Sequence, residues 1–203
     1  MEVHLIRHTN PAIEKGICYG QTDLPAEEHL FEKEFVAIQK KLPKQFDKVY
    51  SSPLQRCSKL AAKLSKDPVF DNRLMELNFG EWENKSWDKI EPTSLSVWMQ
   101  DFVNEKAGGA ESYAELHQRI VSFMEELQTT EYKNVVIITH AGCIRSFISF
   151  VLDLPLENSF RIALGYAEVI RIALAEESYN NKLYLSFAYI YVANKRNTFI
   201  VKL

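Results

Sequence analysis

Glu2 to Ile6 form a short, mostly apolar run within a strand predicted at 2–7, and residues 135–139 form another run. Mostly apolar runs of this length mark strands buried on both faces, as in a parallel sheet covered by helices. Asp47-Lys48-Val49-Tyr50-Ser51 reads as a further strand, and Phe31, Phe35, Ile38 and Leu42 recur at helical spacing before it. This order predicts a βαβ crossover. Ser52-Pro53-Leu54-Gln55 has the form of a capping box, with Ser at the N-cap, Pro at the first helical position and Gln at the third. A helix is therefore predicted from there, with Leu54, Cys57, Leu60/Ala61 and Leu64 as its apolar stripe and Arg56 in its first turn. Ser112 and Glu115 repeat the capping signature ahead of Tyr113, Leu116, Ile120, Phe123/Met124 and Leu127, a second amphipathic helix.

After the 135–139 strand, Ile144, Phe147/Ile148 and Val151 predict a helix ended near Pro155, which places His140 in the strand-to-helix turn. Two late runs, about 166–174 and 183–192, are rich in β-formers and flank Ser178-Tyr179-Asn180-Asn181, predicting a hairpin at the sheet edge. Residues 193–203 carry no clear pattern. Helices alternate with strands and no repeat or linker interrupts them, so the expectation is an α/β fold in one domain spanning residues 1–203.

Composition narrows the partners. The chain has 203 residues, 46% of them hydrophobic, enough to bury a sizeable core. A net charge of −3 gives no electrostatic case for nucleic acid or an anionic membrane and favours a small-molecule partner. Met1-Glu2-Val3-His4 has no basic region ahead of an apolar stretch, and no run approaches the roughly 20 residues that span a bilayer, so the expected location is cytoplasmic. Cys18, Cys57 and Cys143 are odd in number and widely spaced, which fits reduced thiols better than a disulfide framework or a paired-cysteine metal site.

The candidate chemistry lies at the strand ends. In an α/β sheet, ligands bind in the crevice beyond the C-terminal ends of the strands, where residues distant in sequence converge. Arg7-His8 ends the first strand and His140-Ala141-Gly142 ends the strand at 135–139. A neutral imidazole can attack phosphorus when its other ring nitrogen donates to a backbone carbonyl. Arg7 and Arg56 could hold the phosphoryl oxygens and His140 could donate to them, so that cationic and donor groups do the work of a metal. The departing alkoxide needs a proton, for which Glu76, Glu81 and Glu83 are candidates that spacing alone does not separate. His4, His29 and His117 occupy ordinary strand or helix positions and read as structural or solvated. No His-Glu-x-x-His or similar ligand pattern is present, so neither a metal nor a cofactor is expected.

Four motifs occur in a telling order: Leu5-Ile6-Arg7-His8-Thr9, then Ser51-Ser52-Pro53-Leu54-Gln55-Arg56-Cys57, then Leu74-Met75-Glu76 with Phe79-Gly80-Glu81-Trp82-Glu83, and Thr139-His140-Ala141-Gly142. Across residues 3–150 the chain resembles the histidine phosphatase, or phosphoglycerate-mutase-like, superfamily. The resemblance implies a three-layer α/β sandwich with a mixed, mostly parallel central sheet. It implies His8 as nucleophile, Arg7 and Arg56 as phosphate ligands, Glu76 as proton donor and His140 as the second pocket histidine. Gly16-Ile17-Cys18-Tyr19-Gly20-Gln21-Thr22-Asp23 and Phe79-Gly80-Glu81-Trp82-Glu83 look like the α-ribazole phosphatase branch, which implies phosphomonoester hydrolysis of α-ribazole 5′-phosphate in cobalamin nucleotide-loop assembly. The alternative is a broad-specificity or sugar (bis)phosphate phosphatase of the same family; a mutase or a non-catalytic phosphoryl-binding protein is a more distant one. Tyr19, Gly20, Gln21, Trp82 and Ala141 fall to the substrate side. Tyr19, Trp82 and Trp87 offer flat walls for an aromatic base, unless the tryptophans are core.

The chain departs from the family pattern in places. Thr9-Asn10-Pro11 stand where many members have Gly-Glu-Thr/Ser, and Asn84 replaces a usual Gly, a swap that Asn tolerates at positive φ.

Overall fold

Alternation along the central strands sorts their side chains into two cores, one on each face of a sheet. Val3, Leu5, Val135 and Ile137 pack with Leu116, Ile120, Phe123, Ile144 and Phe147. Ile6, Val49, Val136 and Ile138 pack on the opposite side with Phe31, Phe35, Ile38, Cys57 and Leu60. The structure, a computed structural model, describes residues 1–179, 182–193 and 198–201. The elements in chain order are β1 (Glu2–Arg7), α1 (Glu28–Gln39), β2 (Lys48–Ser51), α2 (Gln55–Leu64), β3 (Val69–Phe70), α3 (Pro92–Gln100), α4 (Tyr113–Gln128), β4 (Asn134–Thr139), α5 (Ala141–Val151), β5 (Val169–Tyr179), β6 (Lys182–Ala193) and β7 (Thr198–Val201). Helices α1 and α2 cover one face and α4 and α5 the other, which is the expected three-layer α/β arrangement.

The seven strands among the described residues lie in the order β3-β2-β4-β1-β5-β6-β7. Strands β1 to β4 are mutually parallel; β5 runs against β1, and β6 and β7 continue antiparallel. The sheet is therefore mixed, with five of its strands sharing a direction. The register matters for chemistry, because Arg7 pairs with Thr139 and Ser51 with Ile138. Residues that follow these pairs leave the sheet at one level, and β5 starts there too, since Val169 pairs with Ile6.

The predicted hairpin is β5 and β6, with β7 added beyond it; Asn180 and Asn181 lie outside the described residues. At the start of α4, Ser112 Oγ accepts from the Glu115 amide and Glu115 returns the bond to the Ser112 amide, a complete capping box of the kind that stabilises a helix by about 1 kcal/mol. The one predicted at Ser52 does not form. Helix α2 starts three residues later, at Gln55, whose amide and side chain both donate to Asp23 at 2.7 and 3.0 Å. The Ser52 hydroxyl is engaged elsewhere. Asn84 has φ of 64°, as the replacement of a glycine there requires. No helix among the described residues is long and apolar enough to cross a membrane.

Candidate active site

Strand ends bring three of the named residues together. His8 follows β1, His140 is the N-cap of α5 after β4, Arg56 is the second residue of α2 after β2, and their rings and guanidinium meet beneath the sheet's C-terminal edge. The His8 and His140 ring centres are 5.0 Å apart. His8 is 1% exposed, and His140 and Arg56 are fully buried.

The backbone of Thr9 fixes the ring chemistry of His8. Nδ1 lies 2.7 Å from the Thr9 carbonyl, which can only accept, so Nδ1 carries the hydrogen and Nε2 keeps its lone pair. Burial, reinforced by the Arg56 charge, holds the His8 pKa well below the usual value, and the same two causes lower that of His140. Both imidazoles are neutral at pH 7. His140 Nε2 is 2.8 Å from Ser52 Oγ, while its Nδ1 is buried without a partner.

The arginines are arranged for an anion. Arg56 donates to the Thr22 and Gly20 carbonyls at 2.8 and 2.6 Å, and Arg7 donates to the Leu164 carbonyl at 2.6 Å. The Nε atoms of both are buried and unpartnered, and neither guanidinium has a carboxylate partner among the described residues. A buried guanidinium held only by neutral carbonyls is costly unless an anion completes its surroundings. Gly20 is required here: its φ is +37°, and a Cβ would overlap the Glu83 carboxylate.

The three candidate glutamates separate clearly in space. Glu81 is exposed. Glu83 Oε1 accepts from the Gln21 and Phe79 amides and Oε2 from Thr22 Oγ1, so it braces the loop whose carbonyls hold Arg56. Glu76 sits on the N-terminus of α5: Gly142 N donates to both its oxygens at 3.1 and 3.2 Å, and Leu77 N donates to Oε1 at 2.9 Å. A Cβ on residue 142 would overlap Glu76 Oε1, so the close approach needs glycine.

A cavity of about 440 Å³ lies against this pocket, lined by Asn10, Pro11, Ile13, Glu14, Lys15, Glu27, His29, Tyr19, Trp87 and Tyr166 among others. Tyr19 and Tyr166 form the shared wall. Their hydroxyls are 2.9 Å apart, the Tyr166 ring is 4.0 Å from the Arg7 guanidinium and 5.4 Å from the His8 ring, and Tyr19 lies 5.1 Å from Arg56. Of the five substrate-side candidates, Tyr19 alone lines the cavity. Gly20 and Gln21 turn inward, the latter donating to the Glu76 carbonyl, and Ala141 is the buried first residue of α5. Trp82 is 6% exposed and packs edge-on against Trp87 and Trp98 in the core, the alternative left open for the tryptophans.

Tyr166 and Ser52 carry no site signal in the sequence, where Ser52 reads as a helix cap and Tyr166 as the start of a strand. The usable signal was β5: a strand antiparallel to β1 must begin at the edge where β1 ends, so its first turn borders the strand-end crevice. That turn is held by Ala167, at φ 55°, whose amide donates to the His8 carbonyl. His29, set aside from the sequence, borders the cavity and pairs with Glu27. Cys18, Cys57 and Cys143 are free and buried, and burial pushes the Cys143 thiol up to about 12.

A mixed sheet with two histidines and two uncompensated arginines at its strand ends is a phosphate-handling α/β architecture. Residues 3–185 match the histidine phosphatase superfamily (branch 1), so the chain belongs to that superfamily and is a histidine phosphatase. Among curated proteins it is 30% identical over 193 residues to "Putative phosphoserine phosphatase 2" of Hydrogenobacter thermophilus, covering 89% of this chain and 95% of that one. Among solved structures, the α-ribazole phosphatase of Shigella flexneri matches with a TM-score of 0.76 at 21% identity, covering 91% of this chain and 94% of that one. A mycobacterial glucosyl-3-phosphoglycerate phosphatase matches at 0.75 and 23%, covering 84% and 89%. At these identities the structural matches show a shared fold.

Proposed function

We propose that the protein hydrolyses phosphate monoesters through a phosphohistidine on His8, and that its substrate is α-ribazole 5′-phosphate. The observation that carries the reaction is the pair of guanidiniums without carboxylate partners beside an imidazole whose Nε2 is left nucleophilic. His8 Nε2 attacks phosphorus and the ester P–O bond breaks. Arg7, Arg56 and His140 Nδ1–H stabilise the equatorial oxygens, with the Ser52 hydroxyl donating to His140 Nε2. Glu76 Oε2, the less engaged of the two carboxylate oxygens, gives its proton to the departing alcohol oxygen. It then takes a proton from the water that attacks the phosphohistidine, releasing inorganic phosphate and free His8.

The substrate reading is supported by the size of the cavity and by its aromatic faces, Tyr19, Trp87 and Tyr166, next to the phosphate pocket. A second reading, phosphoserine, is favoured by the 30% identical relative and by the charged cavity rim of Glu14, Lys15 and Glu27. Comparison of kcat/KM for α-ribazole 5′-phosphate, phosphoserine, glycerate phosphates and sugar phosphates decides between them. In Trp87→Ala, kcat/KM for α-ribazole 5′-phosphate is expected to fall roughly 3- to 10-fold, the scale of one lost aromatic contact, with little change for a small aliphatic phosphate. Equal losses for both would assign Trp87 to packing alone.

A further inference from the structure

Glu76 lies in a stretch that is neither helix nor strand, residues 75–79, so its backbone groups must find partners outside any ladder. One side chain meets the carbonyls on the approach to Glu76 and that of Glu76 itself. Arg119, on the inner side of α4, donates from Nη1 to the Arg73 and Met75 carbonyls, both at 2.6 Å, and from Nη2 to the Glu76 carbonyl at 3.0 Å. Its remaining hydrogens go to Glu111: Nε to Oε1 at 2.7 Å and Nη2 to Oε2 at 3.0 Å. All five N–H groups of the guanidinium are thereby assigned, two to a carboxylate and three to the segment that ends at Glu76. Glu111 Oε2 also accepts from the Asn78 amide, so the pair grips the chain on both sides of Glu76. The Glu76 carboxylate is meanwhile set against the α5 N-terminus through Gly142 N.

We propose that Arg119, oriented by Glu111, is a positioning residue that sets the Glu76 carboxylate for proton transfer. This rests on Glu76 being the general acid. The planar fork is what the task needs, because three carbonyls and a bidentate carboxylate are met in fixed directions. A lysine at 119 keeps the charge but has three donors at one point, which cannot reproduce them. A displacement of about 1 Å at a reacting group can cost on the order of 10²-fold in rate.

The test uses single-turnover rates with an alkyl phosphate and with p-nitrophenyl phosphate, whose leaving group departs nearly without a proton. Arg119→Lys is expected to slow the alkyl ester on the order of 10²-fold and the nitrophenyl ester far less. In a Glu76→Gln background, the same change is expected to cost nothing further on the alkyl ester, since the group being positioned is already gone. Glu111→Gln, a milder change of the same shape, is expected to show the same selectivity if Arg119→Lys folds poorly. Equal losses on both esters from Arg119→Lys and Glu111→Gln, while Glu76→Gln discriminates between them, would overturn this inference alone. Failure of Glu76→Gln itself to discriminate would overturn the acid assignment, and this inference with it.

Discussion

His8→Ala is expected to abolish turnover, by about four orders of magnitude or more, the scale of losing a covalent nucleophile. Enzyme quenched in the middle of turnover is expected to carry phosphate on His8 Nε2, the nitrogen that the Thr9 carbonyl leaves free by holding Nδ1. Phosphohistidine is acid-labile, so the quench is alkaline and the labelled peptide is located by mass spectrometry. His140→Ala is expected to retain the label while forming it slowly, because His140 is a donor to the transferring group in this scheme. Near-native activity in His8→Ala together with complete loss in His140→Ala would reverse the two assignments.

The second large effect belongs to Glu76. An alkoxide leaving a ribose carbon is a strong base and needs its proton in the transition state, whereas p-nitrophenolate is stable without one. Glu76→Gln is therefore expected to cost about 10²–10⁴-fold with the ribose ester and much less with p-nitrophenyl phosphate. The comparison must be made on the phosphorylation step, since the same carboxylate is proposed to activate water in the second half-reaction and steady-state rates would merge the two. A selective loss from Glu83→Gln in its place is not expected, because Glu83 spends both oxygens on the Gln21, Thr22 and Phe79 groups. If Glu83→Gln or Glu81→Gln showed the selectivity, Glu76 would lose the role.

What could be read from sequence follows how local each determinant is. Helix α4 was legible because its cap and its stripe of Tyr113, Leu116, Ile120, Phe123, Met124 and Leu127 are written within one element. The start of α2 was not, since Asp23, 32 residues away, caps it and Ser52 turns toward His140, 88 residues away. Helix α3 was passed over because none of its residues is buried, which leaves no stripe to detect. Strand β3 has two residues, too few for a period. The convergence of His8, Arg56 and His140 was legible for a different reason: parallel strands end on one edge, so naming the strands names the crevice. The facing of Trp82 was not legible, because adjacency to a motif residue in sequence says nothing about facing. Its side chain points into the Trp87 and Trp98 cluster, whereas Glu83 beside it braces the loop that holds Arg56.

Keeping two neutral imidazoles inside the strand-end pocket makes the fold sensitive to protons. In the unfolded chain both histidines titrate near pH 6.5, whereas in the folded protein burial and the Arg56 charge hold them uncharged to much lower pH. Below about pH 6.5 the unfolded state binds more protons than the native one, so acid favours unfolding, by up to about 1.4 kcal/mol per pH unit for each such histidine. Burial lowers His4 and His117 in the same direction. Urea midpoints are therefore expected to fall between pH 7.5 and 5.5, and to fall less steeply in His8→Ala, which lacks one of the linked sites; an equal slope in the variant would remove His8 from the linkage. The readiness of the proposed nucleophile at neutral pH and the protein's weakness in mild acid have one origin, the cost of charging a buried imidazole beside arginines.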